Sequence, residues 1–207
     1  MLSLLTMTML TVTYLSSGNT ANAAAAATGD SLIVAAGGGN GSIILDSFFP
    51  QNIQINAGQS ITWNNPTTVG EPHTATFVLD NATYSGVVSP LAVSNNTKFS
   101  PLPPGSNNAP ILLPGKDGTN TIIALNARTF NPTVVDSTGN AKSFSPNAHY
   151  TFTGTEKYVN SGWLLSKGNE QHYPGSGNTF TMTFEKPGNY KYLCIIHPWM
   201  TGSVTVK

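Results

Sequence analysis

The sequence predicts an all-β fold whose last strands fit the end of a Greek-key sandwich, with length enough for a large insertion. Three observations lead there. The 207 residues include 20 Gly and 14 Pro, a turn-rich composition. Several short runs alternate apolar and polar residues, the period of a half-buried strand. No stretch reads as a long helix, and no internal repeat occurs. A chain of this length can bury one sizeable core.

The elements follow in order. Met1 to Leu15 is apolar with interspersed Thr, and Thr20-Ala-Asn-Ala23 resembles a small-residue cleavage site. Residues 1–23 therefore read as a signal peptide, with an uncleaved membrane anchor as the alternative. No charge occurs before Asp30, and no Cys stands near the start to carry a lipid. No other stretch is long and apolar enough to span a bilayer. Residues 24–41 are Ala-rich and then Gly-rich, ending Gly37-Gly-Gly-Asn-Gly41, and read as a flexible linker. A phosphate loop would need a Lys and a following helix, and neither is present.

Residues 42–207 read as one domain, with room for an insertion at about 78–178, where the strand pattern is less regular than on either side. Between Ser42 and Phe77 the pattern is of strands. Ile53 and Ile55 alternate, Asn56-Ala-Gly-Gln59 turns, Ile61 and Trp63 alternate again, and His73 to Phe77 begins another strand. Inside the insertion, Phe99 to Pro110 is an irregular loop rich in Pro and Asn. Thr121 to Leu125 and Val134-Val135 suit strands, with Asp136-Ser-Thr-Gly139 as a hairpin turn. Tyr150 to Thr153 alternates as a short strand, and the apolar run Tyr158 to Leu165 is expected to pack on the sandwich.

The last segment is the clearest. Phe180, Met182 and Phe184 share one face, Lys186-Pro-Gly-Asn189 turns, and Tyr190, Tyr192 and Cys194 share a face of the next strand. Val204 and Val206 point inward from a closing strand. Two strands joined by a loop in this way fit the end of a Greek key.

Charge excludes some functions. Nine basic and nine acidic residues cancel, so no basic field exists for nucleic acid. Only 9% of residues are charged, and Asn, Ser, Thr and Gly must supply the surface polarity. A single cysteine rules out an internal disulfide. In an oxidising compartment such a thiol must be buried or bound to a metal.

The chemistry concentrates in Tyr190-Lys-Tyr-Leu-Cys194-Ile-Ile-His197-Pro-Trp-Met200. Thiol, imidazole and thioether stand three residues apart, and a tight loop can bring all three onto one atom. Two imidazoles, a thiolate and a weak, long thioether bond make a copper electron-transfer centre. The stretch holds one His; the second is expected to be His73, in Glu71-Pro-His-Thr74. Zinc is the rival, but closed zinc sites rarely use Met. His149 and His172 have no His two residues away and read as surface histidines. Three sequons, at Asn40, Asn81 and Asn95, arise readily by chance in an Asn-rich chain.

On these residues the sequence resembles the cupredoxin family, the small blue copper proteins such as plastocyanin, pseudoazurin and amicyanin. The spacing Cys194-x-x-His197-x-x-Met200 resembles the short ligand loop of amicyanin, and the lead-in Pro187 to Tyr192 and the pair Pro72-His73 also match. The resemblance covers about Ser42 to Phe77 and Phe180 to Lys207, leaving the middle hundred residues outside. It implies a cupredoxin-like Greek-key β-sandwich whose insertion lies between the first His ligand and the Cys-His-Met loop. It implies one copper ion, Cu(I) or Cu(II), held by ring nitrogens of His73 and His197, the Cys194 thiolate and a weak axial Met200. Thr74 stands where plastocyanin-like proteins often have Asn. Its hydroxyl or a backbone N–H is expected to brace the sulfur instead.

The implied function is single-electron transfer outside the cytoplasm by a carrier, not an enzyme. Redox partners would dock transiently near His197 and Trp199, where interfaces of this kind are small. Peripheral membrane association stays open. Two alternatives remain: a copper enzyme acting on nitric oxide or nitrite at an open site, and a copper carrier or buffer. No catalytic acid or base is expected beside the ligands, and the chain has no Met- or His-rich cluster.

Overall fold

The computed structural model describes residues 31–83, 89–93, 111–114, 120–124 and 127–207, except 171, 172 and 174. The expected signal peptide, residues 24–30, the Phe99–Pro110 loop, the Asn95 sequon and His172 lie outside them.

The strands are β1 (Leu32–Asn40), β2 (Ile43–Phe49), β3 (Asn52–Ile55), β4 (Ser60–Asn64), β5 (Thr76–Val78), β6 (Ser89–Val93), β7 (Ile111–Pro114) and β8 (Asn120–Ala124). Then come β9 (Pro132–Val135), β10 (Ala141–Ser143), β11 (His149–Phe152), β12 (Tyr158–Ser161), β13 (Thr179–Phe184), β14 (Gly188–Leu193) and β15 (Thr201–Val206). One sheet runs β11-β13-β4-β1-β2 and the other β10-β9-β12-β5-β14-β15-β3, while β6, β8 and β7 pair among themselves. Among the described residues no helix is long and apolar enough to cross a membrane.

Alternation explains how the two large sheets face each other. Phe180, Met182 and Phe184 of β13 and Ile61 and Trp63 of β4 are buried from one side; Tyr190, Tyr192, Val204 and Val206 meet them from the other. Trp63 packs edge-on to Phe77 at 5.7 Å and to Tyr192 at 5.4 Å, which ties the layers together. Such pairs contribute about 0.5–1.5 kcal/mol each beyond area burial. On the other face of the first sheet, hydroxyls link neighbouring strands: Thr62 to Ser31 at 2.6 Å and to Thr181 at 2.8 Å, and Ser60 to Thr183 at 2.7 Å. This Ser/Thr ladder satisfies polar groups without charge, in keeping with the composition.

One expectation about organisation needs correction. Residues 32–40, read as part of a linker, form β1, parallel to β4 and antiparallel to β2. Val34 and Ala36 are fully buried. The glycines serve a bulge between Ala36 and Gly38 and a close approach at Gly37, not flexibility. The insertion adds strands to the sandwich: β9, β10 and β12 extend the second sheet beyond β5, and β11 borders β13 in the first. The run from Tyr158 therefore lies within a sheet and does not merely rest on one. Strands β9 and β12 are buried at every position, so they lack the alternation that marks a half-exposed strand. The Asp136–Gly139 turn does join β9 to β10, with Asp136 Oδ1 accepting from the N–H groups of Thr138 and Asn140.

Candidate metal centre

Sheet register builds the centre. Leu193 at the end of β14 pairs with Thr76 of β5, which sets Cys194 beside the segment preceding β5. The Thr74 N–H donates to Cys194 Sγ at 3.3 Å, and the Thr74 hydroxyl accepts from the Ile195 N–H at 2.9 Å. Thr74 thus braces the sulfur loop with both groups. The hydroxyl is itself fixed, 2.9 Å from Thr76 Oγ1, which donates to Asn160 Oδ1.

His73 is pinned at its backbone by a two-bond bridge to Leu164, at 3.0 and 2.8 Å. Gly37 closes over its ring: a Cβ there would lie 2.3 Å from His73 Nε2. After Cys194 the chain turns tightly. Cys194 N–H donates to Met200 O at 2.9 Å, and Met200 N–H to His197 O at 2.8 Å. His197 and Met200 therefore return to the end of β14, and Met200 is buried in the core.

Three donor atoms converge. His73 Nδ1 and His197 Nδ1 are 3.3 Å apart, and Cys194 Sγ is 3.8 Å from His197 Nδ1. Donor atoms of all three residues lie within 4.8 Å of one another. Metal bonds of about 2.0 Å to nitrogen and 2.3 Å to sulfur, meeting at about 110–120°, span edges of this length. Two imidazoles and a thiolate form a donor set suited to copper.

Burial makes the site costly without a cation. His73 and Cys194 are fully enclosed and His197 is 8% exposed. Burial lowers His73 to a pKa of about 4, the His197 ring adds to the shift, and Asp46 opposes it. Burial also pushes the Cys194 thiol up, against N–H bonds from Thr74, His197 and Ile196. An ionised thiolate here needs a positive partner, which a bound metal supplies.

Sequence reasoning missed two carboxylates. Glu71 Oε1 lies 3.1 Å from His197 Nε2. Asp46 and Glu71 also cluster with a ring nitrogen of His73, all within 4.8 Å. Carboxylates that the sequence reading did not place at the centre thus stand beside the two imidazoles. Glu71 stands two residues before His73, which was a usable signal; Asp46 on β2 offered none. Trp199 stands out into solvent, 67% exposed, with its ring 5.4 Å from that of His197. His149 is at the surface, its Nε2 2.8 Å from Thr183 Oγ1.

One family model matches part of the chain. Residues 124–207 match the copper binding proteins of the plastocyanin/azurin family. That match starts inside the segment first read as lying outside the resemblance, and takes in β9 to β12. No curated protein matches the chain. Among solved structures, a reduced amicyanin mutant is similar at 14% identity, covering 86% of this chain and 82% of that one, with a TM-score of 0.36. A purple cupredoxin from Nitrosopumilus maritimus gives 20% identity, 85% and 99% coverage and a TM-score of 0.35. A copper-containing nitrite reductase from Thermus scotoductus gives 16% identity and a TM-score of 0.36, with 89% of this chain but 24% of that one covered.

Proposed function

We propose that this chain, whose residues 124–207 match the plastocyanin/azurin family of copper-binding proteins, uses a type 1 copper site to pass single electrons outside the cytoplasm. The observation that carries the reading is the convergence of His73 Nδ1, His197 Nδ1 and Cys194 Sγ at the end of β14. These three atoms are assigned as the strong ligands and the Met200 thioether as the weak axial one. Copper, when bound, supplies a one-electron couple between Cu(I) and Cu(II).

The protein's part is to hold the donors still. The Leu164 bridge fixes His73, the Thr74 N–H and hydroxyl fix the sulfur and its loop, and two backbone bonds close that loop on Met200. Donors fixed before the electron arrives need little rearrangement when it does. Enclosure of Cys194 and His73 also disfavours an open catalytic position and easy copper exchange, which argues against the enzyme and the carrier. The exposed Trp199 beside His197 offers an apolar contact for a transient redox partner. Export rests on the leader-like residues 1–23.

The test is the optical spectrum of the copper-loaded protein against Cys194→Ser. An intense visible band that disappears in the variant is expected for copper–thiolate bonding. A colourless protein holding one zinc per chain would overturn the reading.

A further inference from the structure

We propose that Glu71 is a positioning residue of the metal centre, and that with Asp46 it forms a carboxylate layer behind the two imidazoles that biases the centre towards its higher oxidation state. The inference rests on the copper assignment above and concerns what surrounds the ligands.

Geometry at His197 comes first. Its Nδ1 faces His73 Nδ1 and Cys194 Sγ, so Nε2 is the ring's only other polar atom. Glu71 Oε1 is 3.1 Å from that Nε2. A carboxylate is an acceptor, so it requires the proton on Nε2 and leaves the Nδ1 lone pair free for a metal. Glu71 therefore selects the tautomer that can bind and fixes the plane of the ring.

Glu71 is itself anchored to the other imidazole. The Asn65 side-chain amide, 1% exposed, donates to Glu71 O at 2.8 Å and to Leu164 O at 2.9 Å. Leu164 is the residue bridged to His73. One buried amide thus ties the acceptor for His197 to the strand contact that positions His73.

The second part concerns charge. Glu71 Oε2, Asp46 Oδ1 and His73 Nε2 are all buried and lack a hydrogen-bond partner among the described residues. The two carboxylates lie within 4.8 Å of each other and of a His73 ring nitrogen. Both side chains are half-buried with one enclosed oxygen each, and carboxylates this close repel one another unless positive charge is near. The added charge of the oxidised metal would offset that repulsion more than the reduced metal does, and the solvent that reaches the half-buried carboxylates screens the effect in part.

The experiment uses the full copper-loaded chain and reads its reduction potential, copper affinity and spectrum for wild type, Glu71→Gln, Glu71→Ala and Asp46→Asn. Gln keeps an oxygen acceptor for Nε2–H and removes only the charge. We expect Glu71→Gln to reduce the preference for the oxidised state about tenfold, a rise of about 59 mV for one electron, with the thiolate band retained. Asp46→Asn should raise the potential in the same direction. Glu71→Ala should in addition weaken copper binding about tenfold or more, a loss that Gln restores. Potentials unchanged in both Glu71→Gln and Asp46→Asn, with the band intact, would overturn the charge bias; equal affinity in Ala and Gln would overturn the positioning role. A wild-type protein without the band would instead sink the copper assignment, and is seen before any variant is made.

Discussion

Substituting Gly37 by Ala tests the link between β1 and the metal centre. Gly37 has φ +90°, and an added Cβ would meet His73 Nε2 at 2.3 Å and Cδ2 at 2.6 Å. Two costs combine. A side chain in the left-handed region costs about 1–2 kcal/mol, and overpacking a close-packed site costs about 1–3 kcal/mol. Together they predict a loss of about 2–5 kcal/mol, or a fall in Tm of roughly 4–20 °C for a domain of this size. If the imidazole moves aside instead, the loss appears as copper affinity, about 10–100-fold. Gly38→Ala is the control. Its Cβ would meet Phe49 at 3.4 Å, an ordinary contact, and its φ is not positive; a change within about 0.5 kcal/mol is expected. Thermal melts and copper titrations of the two variants decide. If Gly37→Ala matches Gly38→Ala in both stability and affinity, β1 does not bear on His73 as described.

Two further predictions concern the support of the site and of the sandwich. Thr74→Val keeps the backbone donor to the sulfur but strips the acceptor from the buried Ile195 N–H; stability should fall by about 1–3 kcal/mol while the visible band persists, and loss of the band would refute the division of labour between the two Thr74 groups. Glu156 supplies a pH-dependent term: burial raises its carboxyl, but bonds from the Thr153 N–H and hydroxyl and the Tyr150 hydroxyl outweigh this and hold it below its ordinary 4.5. A depressed carboxyl contributes stability that is full above the unfolded value and is lost as pH falls through the folded one, so denaturant titrations of wild type and Glu156→Gln should converge as the pH drops below about 4.5. Curves that stay parallel through that window would count against it.

Much of this molecule is visible in local pattern. Strands β13, β14 and β15 alternate because one face meets the core and the other does not, and the Phe180, Tyr192 and Val204 faces are where that pattern places them. The Cys194–Met200 spacing likewise declares a tight loop carrying soft ligands. Pattern failed where burial was two-sided or where side chains were absent: β9 and β12 have no exposed positions to break their runs, and the glycines of β1 look like a linker until a ring is seen packed against Gly37.

What the sequence determined by itself is therefore the all-β class, the alternating strands and the chemical nature of the centre, since these depend on residues a few positions apart. Tertiary structure alone decided that His73 faces His197 across 124 positions of chain, that part of the insertion completes both sheets, and that Glu71 and Asp46 stand behind the imidazoles. The physical reason is that strand register and side-chain burial arise from pairings between distant segments, and a carboxylate becomes a partner of an imidazole only once folding has removed the water between them.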